Sequence, residues 1–132
     1  MRTLIKVRGY HLDVYQHVNN ARYLEFLEEA RWQWLEQAEA FDWLVAQKLA
    51  FVVVNININY RRPAVLGDVL QIDSEVMQLN GKSGVLAQRV VLASDQTLVA
   101  DATLTFVCID LSSQKAVSIE GALKQRLQAL ME

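Results

Sequence analysis

A chain of 132 residues with a formal net charge of −2 fits one domain around one hydrophobic core. Hydrophobic residues make up 52% and charged residues 21%, as in globular proteins, and the slight negative charge argues against a nucleic-acid-binding surface. No apolar run approaches the roughly 18 residues of a membrane span, and residues 1–8 do not resemble a signal peptide. We expect one cytoplasmic domain over residues 1–132, with Cys108 as a buried thiol.

The first elements in chain order are a strand, a polar loop and a long helix. Residues 2–10 alternate charged and apolar side chains and predict a strand, whereas residues 11–19 are polar. From about Asn20 the apolar period becomes that of a helix, and Asn19 or Asn20 is suited to cap it through its side-chain oxygen. The apolar stripe of this helix consists of Tyr23, Phe26, Leu27, Ala30 and Trp34.

Beyond a short second helix over Phe41–Gln47, the chain has the pattern of strands almost to its end. Pro63 interrupts the strand pattern once, a turn with two glycines covers residues 80–84, and residues 119–131 predict a last helix through Leu123, Leu127 and Leu130. This order favours an α+β fold, in which an antiparallel sheet wraps around one long central helix. The predicted strands are Val52–Tyr60, Val69–Leu79, Val85–Leu92 and Leu98–Asp110.

The polar loop at residues 11–19 carries the side chains best suited to chemistry. An acid just before a helix is useful, because the first N–H groups of the helix lack intrahelical partners and can polarise a carbonyl. Asp13 is therefore a candidate general base or nucleophile, the alternative being a turn aspartate that accepts a backbone N–H. His17 is a candidate for orienting substrate or moving a proton, or else an ordinary loop histidine.

Other candidate sites have weaker patterns. His11, Asp13 and His17 could bind a metal ion, but their spacing matches no strong metal motif and no fourth ligand is evident. Arg61, Arg62 and Lys82 could bind phosphate oxygens, although basic residues at strand ends are usually only solvated. We therefore expect no metal and no organic cofactor.

The loop and the helix start resemble the hotdog-fold acyl-CoA thioesterases of the 4-hydroxybenzoyl-CoA thioesterase-like superfamily. That family places an aspartate before its central helix, and the segment His17–Tyr23 is also similar to acyl-ACP thioesterases. The resemblance extends to Tyr60–Ala64 and to Gly67-Asp68, and within the superfamily it points to bacterial long-chain acyl-CoA thioesterases associated with fatty-acid degradation. The residues that match the loop pattern are Asp13, Val18, Asn20 and Tyr23.

The resemblance implies a role for each matched position. Asp13 would be the catalytic carboxylate, the backbone N–H near Asn20 would contact the thioester oxygen, and His17 would assist. Tyr23 would contact the substrate, and the family holds CoA along a subunit interface, so a homodimer, doubled into a homotetramer, is expected. An edge-to-edge dimer would also cover exposed sheet edges. The remaining expected substrate-binding residues are Arg61, Arg62, Lys82 and Ser83.

The sequence thus predicts hydrolysis of a long-chain acyl-CoA to a fatty acid and CoA, with the acyl chain in an apolar tunnel. Two other classes stay open at this point. A dehydratase or isomerase acting on acyl thioesters would depend on a histidine base instead of Asp13, and a non-catalytic acyl-CoA-binding protein would bind the ester without releasing thiol. The expected tunnel residues, for which core packing is the alternative, are Phe26, Leu27, Trp34 and Phe51.

Overall fold

A computed structural model of the protein describes residues 1–129. A long helix and two short ones accompany the strands, and a 3-10 turn over Gly9–His11 precedes the long helix. The helices are α1 (Asn20–Gln37), α2 (Ala40–Ala46) and α3 (Gly121–Gln128). The strands are β1 (Arg2–Lys6), β2 (Leu49–Tyr60), β3 (Val69–Asn80), β4 (Ser83–Leu92), β5 (Leu98–Asp110) and β6 (Lys115–Ala116).

The strands form one sheet in the order β1-β3-β4-β5-β2, with β6 paired to β5. β1 runs antiparallel to β3, and β3, β4 and β5 follow one another through short turns. β2 is antiparallel to β5, since Arg61 N–H bonds to Val99 O (2.8 Å) near one end and Leu111 N–H bonds to Lys48 O (2.9 Å) near the other. The antiparallel sheet and the long helix are therefore as predicted.

The predicted first strand over residues 2–10 is wrong beyond Lys6. Val7 still exchanges backbone hydrogen bonds with the 67–68 segment, but the chain then tightens into the 3-10 turn. The alternating pattern of side chains continues past Lys6, but it does not form a strand there. The side chain of His11 accepts the Arg8 N–H (2.8 Å) and stabilises a turn instead.

Smaller differences occur elsewhere. β2 begins at Leu49, earlier than predicted, and only Gly81 and Lys82 of the predicted 80–84 turn lie outside the strands. β6 has no counterpart in the prediction, since two residues carry too little pattern. The last helix ends at Gln128, and the predicted contact of Leu130 lies outside the described residues.

The chain divides into two compact units, the first comprising residues 1–33, 58–74 and 88–102. Its core joins the apolar stripe of α1 to strand residues such as Leu70, Ile72, Val90 and Val99. Burying this apolar stripe explains why a helix rich in glutamate forms here, since tertiary packing supplies most helical stability. The stripe residues in this core are Tyr23, Phe26, Leu27 and Ala30.

A buried polar network also ties α1 to two strands of the first unit. The amide nitrogen of Gln88, fully buried, donates to Leu27 O (3.1 Å) and to Ser74 Oγ (3.1 Å). Arg31 Nη1 donates to the Gln88 oxygen (3.2 Å), and burial lowers the pKa of Arg31. Because the network satisfies these buried groups, it fixes the depth at which α1 packs.

The second unit comprises residues 34–57, 75–87 and the chain from 103 onward. Its aromatic side chains pack closely, with the Phe51 and Phe106 rings 5.3 Å apart and the Arg126 guanidinium 4.6 Å from the Trp43 ring centre. Gly84 has no room for a side chain, because a Cβ there would overlap the Phe106 ring. Within residues 1–129, no helix is both long and apolar enough to cross a membrane.

Candidate active site

The polar segment before α1 starts with a turn built around His11. The His11 side chain is 8% exposed, and its Nδ1 accepts the Arg8 N–H. Its ring meets the Phe26 ring edge to face at 4.8 Å and the Tyr10 ring at 4.4 Å. Desolvation by burial, together with the nearby cation of Arg22, lowers the pKa of His11 below its ordinary value of 6.5. His11 is therefore neutral at physiological pH.

Asp13 lies at the base of a tight loop that returns directly to the helix. Asp13 N–H donates to His17 O (2.9 Å), Gln16 N–H donates to Asp13 O (3.0 Å), and Leu12 pairs with Val18 in an isolated antiparallel bridge. The carboxylate is half-buried, and its Oδ1 accepts the Tyr15 N–H (2.9 Å). Within residues 1–129, Oδ2 has no hydrogen-bond partner. Asp13 thus shapes its loop with one oxygen and leaves the other available.

The start of α1 is capped by Asn19, one of the two predicted caps. Asn19 Oδ1 accepts Ala21 N–H (2.9 Å), and Asn19 O accepts Arg22 N–H (2.9 Å). Asn20 is exposed, and in the described part of the chain its N–H donates no hydrogen bond. Of the first three N–H groups of α1, the one at Asn20 is thus left to meet an external acceptor.

His17 and Tyr23, both predicted for the site, have opposite environments. His17 is exposed and contributes its carbonyl to the Asp13 loop. Tyr23 is 3% exposed and packs 5.5 Å from the Tyr60 ring, and burial raises the pKa of Tyr23 to about 12. Tyr23 is therefore a neutral wall of the core, whereas His17 is open to solvent.

Tyr60, at the end of β2, also reaches the helix start. Its hydroxyl donates to Asn20 O (3.1 Å), while Val18 N–H donates to Ala64 O (2.9 Å). The 60–64 segment therefore holds both the last residues of the loop and the first residue of α1.

Arg61 and Arg62 are adjacent but differ in their partners. Arg61 Nε donates to Asp101 Oδ2 (3.0 Å) and Asn59 donates to Asp101 Oδ1 (3.2 Å), and the hydrogen bond from Arg61 lowers the pKa of Asp101. The exposed Arg62 side chain makes no hydrogen bond among the described residues, and its charge adds to the lowering of the Asp95 pKa, which is due mainly to hydrogen bonding with Thr97. Arg62 is the freer of the two to bind an anion.

The other predicted binding residues, Lys82 and Ser83, belong to the second unit. Lys82 is exposed, and the Ser83 hydroxyl donates to Asn80 O (3.3 Å) within the turn. Asp13, His17, Asn20, Tyr23, Arg61 and Arg62 all belong to the first unit.

The four residues expected to line the acyl tunnel also divide between the units. Phe26 and Leu27 are buried in the core of the first unit. Trp34 and Phe51 border a small apolar pocket in the second unit, where α2 and α3 close against each other. Phe26, Leu27 and Trp34 are buried, as core packing requires, whereas Phe51 is partly buried.

No metal site is formed within residues 1–129. Among the described residues, no group of at least three His, Cys, Asp or Glu side chains is arranged to hold an ion. His11 turns its Nδ1 to a backbone N–H and His17 faces solvent, so the geometry does not support the interpretation of these residues as metal ligands.

Sequence reasoning missed two residues of this site, His11 as an anchor and Tyr60 as a clamp. Tyr60 acts on the carbonyl of Asn20, which is far away in the chain, and His11 joins a local bond from Arg8 N–H to a longer-range bond from Asn19 N–H. The weak signal for His11 was its position after Gly9 and an aromatic residue, at the point where the strand pattern had to end.

Comparison with known proteins gives the site its context. A family model described as the thioesterase-like superfamily matches residues 7–127. The long-chain acyl-CoA thioesterase FadM of Escherichia coli is 64% identical over 132 residues, which is 100% of both chains. An acyl-CoA thioester hydrolase, YbgC, also from Escherichia coli, is 37% identical over 70% of this chain and 69% of its own.

The solved structures include one with the same architecture over the whole chain. The crystal structure of YbaW, a probable thioesterase from Escherichia coli, superposes with a TM-score of 0.93 and 64% sequence identity. The match covers 100% of this chain and 99% of that one. It confirms the predicted α+β hotdog fold.

Proposed function

The chain belongs to the thioesterase-like superfamily, and on this basis we propose that it hydrolyses long-chain fatty acyl-CoA to free fatty acid and CoA. The observation that carries the proposal is the 64% identity over the full length of both chains to a relative named as a long-chain acyl-CoA thioesterase. We extend the proposal to a role in fatty-acid degradation, in keeping with the resemblance of the Asp13 loop.

The catalytic geometry that we propose uses the loop and the helix start of the first unit. The thioester carbonyl would lie at the N-terminus of α1, with its oxygen accepting the unpaired N–H of Asn20. In other enzymes one such donor lowers the barrier by about 3 kcal/mol, because the oxygen becomes negative in the transition state. The positive end of the helix dipole acts in the same direction.

Asp13 supplies the second half of the chemistry. As a general base it takes a proton from water while the water oxygen adds to the carbonyl carbon. The tetrahedral intermediate then collapses, the C–S bond breaks, and CoA leaves as a thiolate that is protonated. As a nucleophile Asp13 would add to the carbonyl carbon and expel CoA as a thiolate, which leaves a mixed anhydride; water then hydrolyses the anhydride to the fatty acid and the free Asp13 carboxylate. The open Oδ2 of Asp13 suits either course, and exposed His17 would assist from the same loop.

We propose that the CoA phosphates are bound by exposed cationic and hydroxyl side chains. Arg62 is the best supported, because its guanidinium has no hydrogen-bond partner in the described part of the chain. Arg61, Lys82 and Ser83 remain in the proposal with weaker support, since Arg61 already pairs with Asp101. Tyr23 contributes through packing at the helix start rather than through its hydroxyl.

A homodimer is part of the same proposal. β2 is an outer strand of the sheet, and Leu49–Tyr60 contains no charged residue and exposes Val52, Val53 and Val54. Long apolar edges of this kind pair with another chain. We propose that two copies associate through this edge and that two dimers form a tetramer. Size-exclusion chromatography with light scattering, which gives the molar mass in solution, tests this proposal.

The single-domain organisation over residues 1–132 and a cytoplasmic location complete the proposal. The buried Cys108, whose thiol pKa is raised by desolvation, agrees with a reducing compartment.

The test is release of CoA thiol from acyl-CoA esters of increasing chain length, with wild type and Asp13→Asn. We expect a preference for long chains and a loss of at least about 100-fold in kcat for the variant, because Asn can neither accept the proton nor attack. Asn keeps an oxygen for the Tyr15 N–H, so the fold should be unaffected.

Asp42→Asn is the matched control, since Asp42 is an exposed carboxylate of α2 in the second unit. It should retain wild-type kcat. Equal rates for Asp13→Asn and wild type would exclude the mechanism, and equal rates across all chain lengths would exclude the long-chain preference. Binding of the ester without thiol release would instead identify a non-catalytic binding protein.

A further inference from the structure

His11 is a buried titratable group that the proposed mechanism does not use. Its side chain lies on the wall of a groove of about 420 Å³ between β1, the 3-10 turn and α1. The proposed mechanism places no substrate atom against the His11 ring. The ring is nevertheless held by a hydrogen bond from Arg8 N–H and by contacts with the Tyr10 and Phe26 rings. These contacts indicate that His11 has a structural role in the segment before α1.

The side chain and the main-chain carbonyl of His11 together connect the turn to the helix cap. Through its side chain, Nδ1 accepts Arg8 N–H (2.8 Å), which closes the turn. Through its main chain, His11 O accepts Asn19 N–H (2.9 Å), and Asn19 in turn accepts the N–H groups of Ala21 and Arg22. A displacement of His11 would therefore move the cap, and with it the direction of the remaining N–H at Asn20.

We propose that His11 is a positioning residue: its neutral imidazole holds the turn whose carbonyl fixes Asn19, and so aims the Asn20 N–H at the thioester oxygen. The part concerning the thioester rests on the proposed function, whereas the anchoring of the helix cap does not. Small errors in the direction of a catalytic donor are costly, because the transition state needs it in a narrow range of geometry.

Protonation of His11 would release this anchor. A protonated imidazole carries hydrogens on both ring nitrogens, so Nδ1 can no longer accept the Arg8 N–H. The added charge would also meet the cations around the ring, of which Arg22 forms an ion pair with Glu25 on α1. The charged side chains around the groove are Lys6 from β1, Arg8 from the turn, and Arg22, Glu25 and Glu29 from α1.

The experiment compares wild type with His11→Asn and His11→Ala. In the Asn variant, the side-chain oxygen takes the place of Nδ1 as acceptor but does not titrate; the Ala variant has no acceptor. We expect His11→Ala to lower kcat about tenfold or more with little change in KM, since orientation rather than binding is lost. His11→Asn should restore kcat to within about threefold of wild type at pH 8.

The pH profile separates positioning from mere stabilisation. In wild type, kcat should fall as His11 is protonated below its ordinary pKa of 6.5, in addition to any loss from Asp13. In His11→Asn that part of the loss should be absent, so its acid limb lies at lower pH. An acid limb in the same position for both proteins would overturn the proposal, as would a kcat of His11→Ala within about twofold of wild type.

Amide hydrogen exchange provides a readout that does not depend on activity. Exchange of the Asn19 amide should speed up about tenfold in His11→Ala and remain near wild type in His11→Asn. His17→Asn is the matched control, because His17 is exposed and acts on the loop through its carbonyl, so it should leave the amides of residues 19–22 unchanged. Unchanged Asn19 exchange in His11→Ala would refute the anchoring itself.

The two proposals can fail separately. If wild type releases no thiol, the proposed function fails, while the exchange data still decide whether His11 anchors the cap. If His11→Ala does not fold, the wild-type and His11→Asn pH profiles and exchange rates decide the question.

Discussion

The segment before α1 consists of two halves of opposite character. Residues 8–12 are anchored through His11, which is 8% exposed and is bound through both its side chain and its carbonyl, although the neighbouring Tyr10 side chain is exposed. Residues 13–17 are open: Val14 is 83% and Tyr15 76% exposed, and Asp13 keeps one carboxylate oxygen without a partner in the described chain. Only a few residues separate a histidine that is packed from one that faces water.

The contrast teaches how such a site divides its work. Groups that react must be reached by substrate and water, so they lie on the open half, where little packing can hold them in place. The geometry that they need is supplied by the hydrogen bonds of His11 and Asn19, and Leu12 packs against the core of the first unit. Substitutions in the open half should therefore affect activity alone, whereas those in the anchored half should affect stability as well.

The largest expected effect is on stability, at the ring that supports His11. Phe26→Ala should lower the free energy of unfolding by about 3–5 kcal/mol, because Phe26 is 5% exposed in the core of the first unit. Tyr15→Ala, at the exposed tip, should change it by less than about 0.5 kcal/mol. Urea unfolding of both variants checks this, and a loss above about 1 kcal/mol for Tyr15→Ala would break the division between the halves.

The helix cap should show an intermediate effect on both properties. Asn19→Ala removes the acceptor for Ala21 N–H and should cost about 1 kcal/mol of stability, together with a fall in kcat. Asn19→Ser restores a neutral cap and should recover most of both. Unfolding and thiol-release assays run side by side measure this; a full kcat in Asn19→Ala would mean that the cap does not aim the Asn20 N–H.

Acid should weaken the anchored half before it affects the acidic side chains. The pKa of His11 is lowered on folding, so the unfolded chain binds its proton first and stability falls as the pH drops below 6.5, until the folded pKa is passed. The pKa values of Asp95 and Asp101 are also lowered on folding, but protonation of these carboxylates reduces stability only as the pH falls below their ordinary value of 3.8. Between pH 6.5 and pH 3.8 the free energy of unfolding of His11→Asn should fall less with decreasing pH than that of wild type. Parallel curves of unfolding free energy against pH would contradict this prediction.

The smallest expected effect sharpens the same contrast at the adjacent arginines. Arg61→Ala breaks the ion pair with Asp101 and should cost at most about 1 kcal/mol, since the pair is exposed. Arg62→Ala should leave stability unchanged and raise KM for acyl-CoA several-fold, because the proposed phosphate contact is lost. Thermal melts and KM measurements distinguish the two, and an unchanged KM in Arg62→Ala would remove it from the binding site.

Local residues predicted the site only in part. The Asn19 cap and the helix start at Asn20 are predicted correctly because each depends on immediate neighbours in the chain, whereas the catalytic role of Asp13 stays a prediction. The sequence presents His11 only as a candidate metal ligand, and Tyr60 as a strand residue and the first residue of the Tyr60–Ala64 segment of the family resemblance. The contact of Tyr60 with Asn20 O and that of His11 with the Phe26 ring join parts of the chain that are not local neighbours, and sequence spacing does not encode such contacts.

The sequence by itself determined the elements, since the period of apolar residues dictates helix or strand, and it determined the family, since Asp13 and its neighbours form a recognisable pattern. The tertiary structure decided which strands are neighbours, which of two histidines is buried, and which of two adjacent arginines is paired. The physical reason is that burial and hydrogen bonding depend on what packing brings near a residue. For His11 that environment is Phe26 and the Asn19 N–H, and both are supplied by the fold.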